Sequence, residues 1–393
     1  MYVARKITKS FAAASRINSI VAVVGPRQAG KTTFLKAQAA AANARYVFFD
    51  DPDVKELFDS DIKRFENQYI AANGITILDE IQYGKEPGKK LKYLADKGKK
   101  LWLTSSSQIL LGKEVLGWLV GRVSILRLYQ FCLDEFLAAK GQKEITENIL
   151  YRSIEEHIIY GGYPKVVLEK EAFGKEAILR DLHETMVLKD IARTFKIDDI
   201  NALEQLSLYL SHCIGNLLSY SSICKELGLS FQSVKKYLDA MEKSYLIIRV
   251  KPFYRNKLKE MVKQPKLYFI DTGIRNAIAK EFHISADNKG KLFENYVLSE
   301  LIKAGKEVKY WHTKGGTEVD FIIQNGKDVI PIEVKAKADP DNLGHGMNSF
   351  ISSYNPSRAY VVFWEGKESN ASRNGCEIKF VNVKGLLSDL ENK

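Results

Sequence analysis

Eight consecutive residues near the N-terminus have types and spacing suited to binding phosphate. Gly25-Pro26-Arg27-Gln28-Ala29-Gly30-Lys31-Thr32 fits the pattern G-x-x-x-x-G-K-[ST]. In such a loop, backbone N–H groups point at phosphate oxygens, the lysine reaches the β- and γ-phosphates, and the hydroxyl holds Mg²⁺. We therefore predict a site for ATP with Mg²⁺. The predicted nucleotide-binding residues are Gly25, Pro26, Arg27, Gln28, Ala29, Gly30, Lys31, Thr32 and Thr33.

A pair of acids at the end of an apolar segment carries the second chemical pattern. Ile75-Thr76-Ile77-Leu78 runs directly into Asp79 and Glu80. We expect Asp79 to hold the Mg²⁺ and Glu80 to deprotonate the water that attacks the γ-phosphate. One carboxylate on the metal and one on the nucleophile is what hydrolysis requires beyond binding, so Glu80 and Lys31 are the predicted catalytic pair of an ATPase.

Two further candidates near the nucleotide remain open between a chemical and a structural role. Polar residues in Ser105-Ser106-Ser107-Gln108 could sense the γ-phosphate, or a serine could cap a helix. Arg122 could supply positive charge to the transition state as an arginine finger or sensor, or it could be a surface arginine.

A β-hairpin near the C-terminus carries a third pattern. The segment Thr317–Ile323 alternates with period two, and Val329–Lys335 follows it across Asn325-Gly326. A two-residue loop at Gly326-Lys327 places Asp320 opposite Glu333, whereas a loop at Asn325-Gly326 places it opposite Pro331. Both registers put Asp320, Glu333 and Lys335 on one face of the hairpin.

These three residues have the types needed for metal-dependent phosphodiester hydrolysis. Asp320 and Glu333 could hold Mg²⁺, and Lys335 could stabilise charge on a phosphodiester under attack by water. Glu294, in a helix-like segment, could bring a third carboxylate. The structural alternative is a hairpin with charged residues on its solvent face.

The elements that must position the phosphate loop and the acid pair are predicted to form an α/β fold. Ile20–Val24 is an apolar strand before the phosphate loop, and Thr33–Gln38 continues it as a helix. Further strands are predicted at 45–49, 75–78, 101–104 and 123–126.

The middle of the chain is mostly helical and ends in a helix-turn-helix pattern. We predict helices at 203–213, 221–227 and 231–243, and wing strands at 245–250 and 266–270. In a DNA reader the third helix enters the major groove, and basic wing residues contact phosphates. The candidate groove residues are Gln232, Ser233, Lys235 and Lys236, and the candidate phosphate contacts are Lys251, Arg255, Lys257 and Lys259. The alternative is an interdomain packing module with solvated lysines.

Composition sets the wider limits. The 393 residues carry 59 basic and 48 acidic side chains, a net charge of +11 that favours polyanionic partners or solubility. Four scattered cysteines form no C-x-x-C pair, which disfavours a zinc ribbon or disulfide framework. No apolar stretch approaches the ~20 residues of a membrane helix, so we expect a cytoplasmic protein with no membrane contact.

The combined motifs resemble a large family of prokaryotic AAA-superfamily ATPases with a C-terminal domain of unknown function. They are the phosphate loop, Leu78-Asp79-Glu80-Ile81-Gln82, the three serines, and Gly121-Arg122-Val123. Gly161-Gly162-Tyr163-Pro164 and Lys266-Leu267-Tyr268-Phe269-Ile270-Asp271 strengthen the match without an assignable chemistry. The resemblance implies a P-loop core with an additional strand between the strands that precede the phosphate loop and the acid pair.

The C-terminal pattern resembles the PD-(D/E)XK core of restriction-type nucleases, with Val319 where proline often precedes the aspartate. Cleavage is a separate question, because such folds also serve as binding platforms. We therefore expect an α/β chain in four parts: an AAA-like P-loop ATPase core at 1–130, a helical lid at 131–200, a winged-helix module at 201–284 and a restriction-endonuclease-like domain at 285–393.

Three functional hypotheses follow from this organisation. The first is a DNA-acting ATPase with a live nuclease, and the second is an ATP-gated DNA-binding switch with a silent tail. The third is a signalling or protein-remodelling ATPase whose winged helix and tail dock proteins, with a protein partner or a homo-oligomer as its target.

Overall fold

The computed structural model describes residues 2–40, 44–107, 112–142, 144–254, 263–313, 315–326, 328–337, 339 and 343–391. Gln108, Arg255, Lys257, Lys259 and Lys327 of the candidates above lie outside these residues. The chain divides into two compact units. The first runs to Phe131 and adds Tyr163–Lys165 and Lys243–Tyr245, and the second comprises the remainder. The finer division into lid, winged helix and C-terminal domain stays a prediction.

The first unit is built on a parallel five-stranded sheet in the order β2-β3-β4-β1-β5. Its strands are β1 (Ile20–Val24), β2 (Ala44–Phe48), β3 (Ile75–Asp79), β4 (Lys100–Ser105) and β5 (Val123–Arg127). Strand β4 thus lies between β1 and β3, the position of the additional strand that the resemblance implies. The helices are α1 (Thr8–Ile17), α2 (Lys31–Ala39), α3 (Pro52–Ser60), α4 (Ile62–Tyr69), α5 (Pro87–Asp96) and α6 (Lys113–Leu116).

The sheet is covered on both faces, which explains why β1 is a continuous apolar run buried throughout. Phe49, Phe58 and Phe65 meet edge-on or tilted in one core cluster. Phe11 packs against Phe34 and Trp102 in another. These aromatic contacts fix the strands whose carboxyl ends carry the phosphate loop and the acid pair.

The second unit begins with helices. They are α7 (Leu133–Ala139), α8 (Glu147–Tyr160), α9 (Pro164–Leu168), α10 (Ala172–His183), a π-helical stretch (Glu184–Ile191), α11 (Ala192–Phe195), α12 (Ile200–His212), α13 (Tyr220–Leu227) and α14 (Phe231–Lys243). Strands β6 (Ile247–Val250) and β7 (Lys266–Phe269) then pair antiparallel. Three helices and two strands therefore stand where the helix-turn-helix pattern predicts them; that they form a DNA-reading winged helix stays a proposal.

The rest of the second unit surrounds a six-stranded mixed sheet in the order β12-β13-β11-β10-β9-β8. Its strands are β8 (Val308–His312), β9 (Glu318–Asn325), β10 (Asp328–Lys337), β11 (Arg358–Glu365), β12 (Ser369–Arg373) and β13 (Cys376–Val381). The accompanying helices are α15 (Thr272–Ala279), α16 (Lys289–Lys303), α17 (Gly344–Tyr354) and α18 (Val383–Glu391). Within the described ranges, no helix is both long and apolar enough to cross a membrane.

The predicted hairpin adopts the first of its two registers. Asn325 pairs with Asp328, which leaves Gly326-Lys327 as the two-residue connection. The pairing runs to Phe321 opposite Ile332, and one further step places Asp320 opposite Glu333. The acid positions therefore meet near the middle of the sheet, on strands with neighbours on both sides.

Candidate functional site

The phosphate loop follows β1 and turns into the N-terminus of α2. Gly30 has φ +93° and forms the helix cap, a conformation that glycine adopts readily. At Gly25 a Cβ would lie 2.0 Å from the carbonyl oxygen of Leu128, so only glycine fits. The buried Lys31 ammonium donates to the carbonyl oxygens of Gly25 (3.1 Å) and Pro26 (2.8 Å) and thus spans the mouth of its own loop.

A buried arginine that the sequence motifs do not include supports this loop. Arg5, 6% exposed, donates from its guanidinium to the carbonyl oxygens of Ala29 (2.8 Å) and Tyr129 (2.6 Å). Its guanidinium also lies over the ring of Phe131. Arg5 thus ties the loop to the segment after β5, a contact across more than 120 residues that no local pattern signals.

Hydroxyl groups from three elements surround the carboxylate of Asp79. Thr32 Oγ1 lies 2.9 Å from both of its oxygens, and the hydroxyls of Tyr46 and Thr104 also donate to it. Burial, reinforced by the bond to Asp79, raises the pKa of Tyr46 well above its usual range, so the phenol remains a donor at ordinary pH. The structure therefore brings Thr32 and Asp79 together, as a shared metal ion would require.

Glu80 follows Asp79 in a left-handed conformation, with φ +57°. The Gln82 amide donates to Glu80 Oε2 and to Ser106 Oγ (3.0 Å), and the Ser106 N–H also faces Glu80 Oε2 (3.3 Å). The acid that would activate water is thus held by Gln82, the second residue after it, and by the serine segment at the end of β4. Ser106 belongs to the serine segment predicted near the nucleotide, whereas no sequence pattern gives Gln82 a role.

Arg122 requires a correction. It precedes β5 at the end where Ile20 pairs with Val123, whereas the phosphate loop leaves the opposite end of β1, after Val24. A five-residue strand spans about 16 Å. The Arg122 Nε instead lies 2.7 Å from an Asp96 carboxylate oxygen. Arg122 therefore does not reach the nucleotide site of its own chain, and an action on a neighbouring copy stays a prediction.

The second unit brings together the carboxylates predicted from the hairpin. The Val334 N–H donates to Asp320 Oδ2 (2.8 Å), and Lys335 Nζ donates to Glu333 Oε1 (2.7 Å). Glu333 is only 8% exposed, and its other carboxylate oxygen is buried with no hydrogen-bond partner among the described residues. A buried carboxylate oxygen without a donor is costly unless a ligand satisfies it.

Strand β7 contributes Lys266 and Tyr268, which belong to the motif Lys266–Asp271 that had no assignable chemistry in the sequence. Lys266 Nζ lies 3.5 Å from Glu294 Oε1 and 3.4 Å from Glu318 Oε2. The Tyr268 hydroxyl donates to the same oxygen of Glu294. Strand alternation places Lys266 and Tyr268 on one face, which was the available signal; which partner that face meets depends on tertiary structure.

Burial and crowding shift the protonation of this cluster. Burial first, and then the charges of Glu294 and Glu333, raise the pKa of Asp320 well above its usual range. Burial also raises the pKa of Glu333, although Lys335 opposes the shift. For Lys266 burial acts to lower the pKa, but the charges of Glu294, Asp320 and Glu318 outweigh it and raise the pKa overall. Asp320 and Glu333 thus hold protons more tightly than free carboxylates do, and Lys266 stays charged.

The fit of this cluster to a metal ion rests on two carboxylates. Across the described parts of the chain, no group of three or more His, Cys, Asp or Glu side chains is placed so as to hold a metal. Glu294 is instead engaged by Lys266 and Tyr268. Asp320 and Glu333 remain, and the unpartnered oxygen of Glu333 is the feature that suits a hard cation.

The two motifs without assignable chemistry meet each other inside the second unit. Asp271 accepts from the N–H groups of Gly162 (2.8 Å) and Ile274 (3.1 Å), the latter at the start of α15. A Cβ on Gly161 would lie 2.0 Å from Asp271 Oδ1. Both motifs therefore join α8 to α15, and their role in this structure is packing.

Helix α14 presents some of the predicted DNA-contacting residues. Gln232 and Lys235 are exposed, as is Lys251 beyond β6. Ser233 is half-buried and its N–H donates to Ser230 Oγ (3.0 Å). Lys236 is exposed and donates to the carbonyl oxygen of Lys196.

Comparison with protein families assigns three segments of the chain. Residues 17–137 match the model of an AAA domain. Residues 151–285 and 289–382 match two models that are each described as a domain of unknown function (DUF8612 and DUF4143). The chain is thus an ATPase of the AAA type, and its C-terminal segment is a DUF4143 domain.

Similar proteins occur in bacteria and archaea. An uncharacterized protein of Haemophilus influenzae is 26% identical over 350 residues, covering 83% of this chain and 86% of that one. An uncharacterized protein of Methanocaldococcus jannaschii is 27% identical over 387 residues, covering 89% and 86%. Among solved structures, a Walker-type ATPase of Pyrococcus abyssi aligns with a TM-score of 0.42 at 14% identity, covering 70% of this chain and 96% of that one.

Proposed function

We propose that the protein uses Mg-ATP hydrolysis to switch how it engages DNA, and that its C-terminal carboxylate site is a Mg²⁺-dependent nuclease. The observation that carries the nuclease half is the cluster of Asp320, Glu333 and Lys335, in which one oxygen of Glu333 is buried without a partner. The ATPase half rests on the AAA domain and on the contact of Thr32 with Asp79.

In the ATP site, each residue has a task that its contacts support. The backbone N–H groups between Gly25 and Thr33, apart from Pro26, which has none, would bind the phosphates, and Lys31 would exchange its two loop carbonyls for phosphate oxygens. Thr32 and Asp79 would hold Mg²⁺, and the ion would supply positive charge beside the phosphates. Glu80, once released from Gln82 and Ser106, orients and deprotonates the attacking water.

In the C-terminal site, Asp320 and Glu333 are the residues that would hold a Mg²⁺ ion, and the ion would supply Lewis acidity at a phosphodiester. Lys335 is already charged and half-exposed at the edge of the cluster, so it can turn from Glu333 to a phosphate oxygen. Glu294 positions Lys266 and Tyr268 behind this face.

Contact with DNA is assigned to the exposed face of α14 and the segment after β6. Gln232, Lys235, Lys236 and Lys251 are exposed there, and the net charge of +11 favours a polyanionic partner. Such contacts would bind the duplex even if the nuclease site were inactive.

The experiment that tests this function is nicking of supercoiled plasmid with Mg²⁺ or Mn²⁺, with and without ATP. Wild-type protein should nick the plasmid and Asp320→Ala should not, while the matched variant Asp328→Ala, an exposed acid on the same hairpin, should retain activity. A change in rate on adding ATP would show that the motor gates cleavage. No cleavage, or equal cleavage by Asp320→Ala, would refute the nuclease half.

One observation favours the second candidate, an ATP-switched binding protein with a silent tail. Asp320 and Glu333 already have internal partners in Val334 and Lys335, and no three-carboxylate metal group forms among the described residues. A tail of this kind would dock DNA or a partner protein, and the ATPase would act in signalling or remodelling. Binding that survives in Asp320→Ala, without any cleavage, is its expected signature.

A further inference from the structure

Lys266 is the most deeply buried charge of the C-terminal cluster. Its residue exposure is 3%, whereas the Lys335 side chain is 45% exposed. Lys266 Nζ lies almost equally far from Glu294 and Glu318, at 3.5 and 3.4 Å. Two acids from different elements, α16 and β9, therefore share one ammonium group supplied by β7.

The neighbours of Lys266 fix it in this place. Tyr268, two residues along β7, donates to the Glu294 oxygen that Lys266 also faces. Asp320 contributes to the charge around Lys266 without a direct bond to it. The ammonium group of Lys266 thus lies among acids as a coordinated metal ion would, except that its positive charge belongs to a side chain.

Unsatisfied oxygens show where the cluster still lacks a cation. The oxygens of Glu294 and Glu318 that face Lys266 already have an ammonium group beside them, and Glu333 Oε1 accepts from Lys335. The only acid oxygen shown buried without a partner belongs, among the described residues of this cluster, to Glu333 and not to the pair around Lys266.

We propose that Lys266 takes the place of a second metal ion, so that the C-terminal site binds one divalent cation, at Asp320 and Glu333. This inference rests on the metal site of the proposed function and adds its stoichiometry. Lys266 is a positioning residue here: it keeps Glu294 and Glu318 from coordinating a metal and holds them in place without one.

The test counts Mn²⁺ ions bound by the full chain without nucleotide, using isothermal titration and electron paramagnetic resonance. Every protein compared, the one with the wild-type C-terminal site included, also carries Asp79→Ala, so that the proposed metal site of the ATPase adds no ion. Wild type should bind one ion, and Asp320→Ala should lose it. Lys266→Met should bind two, because Glu294 and Glu318 become free to hold a second ion. Lys337→Met, the same change on an exposed lysine of β10, should still bind one, as should Lys266→Arg.

Folding of Lys266→Met is checked by thermal unfolding, since the change leaves Glu294 short of a cation. In chelator its Tm should fall below that of wild type, and Mn²⁺ should raise its Tm more than it raises that of wild type. Three results would overturn the inference about Lys266 and leave the proposed metal site standing. They are two ions in wild type, one ion in Lys266→Met, or a Mn²⁺-induced rise in Tm that is no larger for Lys266→Met than for wild type. No ion in wild type would overturn the proposed metal site as well.

Discussion

Single residues determine how ready each site is for its ligand. Asp79 receives hydroxyls from Thr32, Tyr46 and Thr104, so its carboxylate is oriented before any metal arrives. Glu80 is held differently, by an amide and a serine that a γ-phosphate could displace. The proposed metal site of the ATPase is thus preorganised, while its proposed base is restrained.

Replacing Glu80 by Gln separates binding from hydrolysis. We expect Glu80→Gln to bind ATP within about threefold of wild type and to lose roughly 10²–10⁴-fold in turnover, because the amide cannot take a proton from water. Binding is measured with a fluorescent ATP analogue and turnover by phosphate release. Glu86→Gln, an exposed acid in the same segment, is the control; unchanged turnover in Glu80→Gln would refute the assigned base.

The raised pKa of Asp320 makes a prediction about stability and pH. Because the folded-state pKa lies above the unfolded value, the wild-type carboxyl costs nothing below the unfolded pKa, and its cost in stability grows as pH rises from there through the folded pKa. Asp320→Asn keeps an acceptor for Val334 and removes that cost. In chelator its Tm should exceed that of wild type at pH 8 by roughly 2–4 °C for each kcal/mol regained, and the gain should vanish near pH 3.

Thermal unfolding of the metal-free protein between these two pH values measures the effect. Asp328→Asn, on the exposed end of the same hairpin, should show no such trend. A gain that is equal at both pH values would mean that ionisation of Asp320 is not its cause.

Local patterns supplied the candidate chemical residues and missed the residues that hold those candidates in place. The phosphate loop, Asp79 and the hairpin acids all lie in short motifs. Arg5 donates to carbonyl oxygens 24 and 124 positions away, and Tyr46 donates to Asp79, 33 positions away. Lys266 faces acids 28 and 52 positions away. Only folding brings these partners near.

At the scale of elements, strand alternation and turn residues predicted the positions of elements better than the signals for helix ends did. The sequence left two hairpin registers open, and both put the acids on one face because the pleat lets only alternate positions share a face. Which register forms was seen only in the structure, where Asn325 pairs with Asp328. The strand that carries Asp79 was also predicted closely, since a buried parallel strand is a continuous apolar run. The end of the sheet at which Arg122 lies was not predicted, because it depends on the order and direction of the strands.

The joint between α8 and α15 offers a stability prediction. At Gly161, φ +71° and ψ −172° suit glycine almost alone, and a Cβ would meet the Asp271 carboxylate. We expect Gly161→Ala to cost about 3 kcal/mol or more, combining backbone strain with that clash. Gly228→Ala, at φ +65° with open space around it, should cost only about 1–2 kcal/mol.

Urea unfolding followed by circular dichroism compares the two variants. Equal losses would show that the contact between Gly161 and Asp271 contributes little and that backbone strain alone decides. A much larger loss in Gly161→Ala would establish this junction as a packing site of the second unit.

For the whole molecule, composition indicated the class of partner and motifs the class of enzyme. The AAA domain was predictable because its motifs are local. The division of the rest into lid, winged helix and C-terminal domain stays a prediction, and residues of all three lie in one compact unit. Burial across β7 and α16 explains this, since Lys266 and Tyr268 of one segment are completed by Glu294 of the next.

Net positive charge alone attracts any polyanion, so the DNA hypothesis needs a test that depends on position. Each lysine that neutralises a phosphate steepens the fall of log Kobs with log salt by about 0.9 for duplex DNA. Lys235→Glu with Lys251→Glu should therefore flatten the slope by about 2, measured by anisotropy of a labelled duplex. Lys170→Glu, exposed on another segment of the same unit, should weaken binding slightly without that change. A slope that the paired variant leaves unchanged would move the DNA contact away from α14, and no binding at low salt with ATPase intact would favour a protein partner instead.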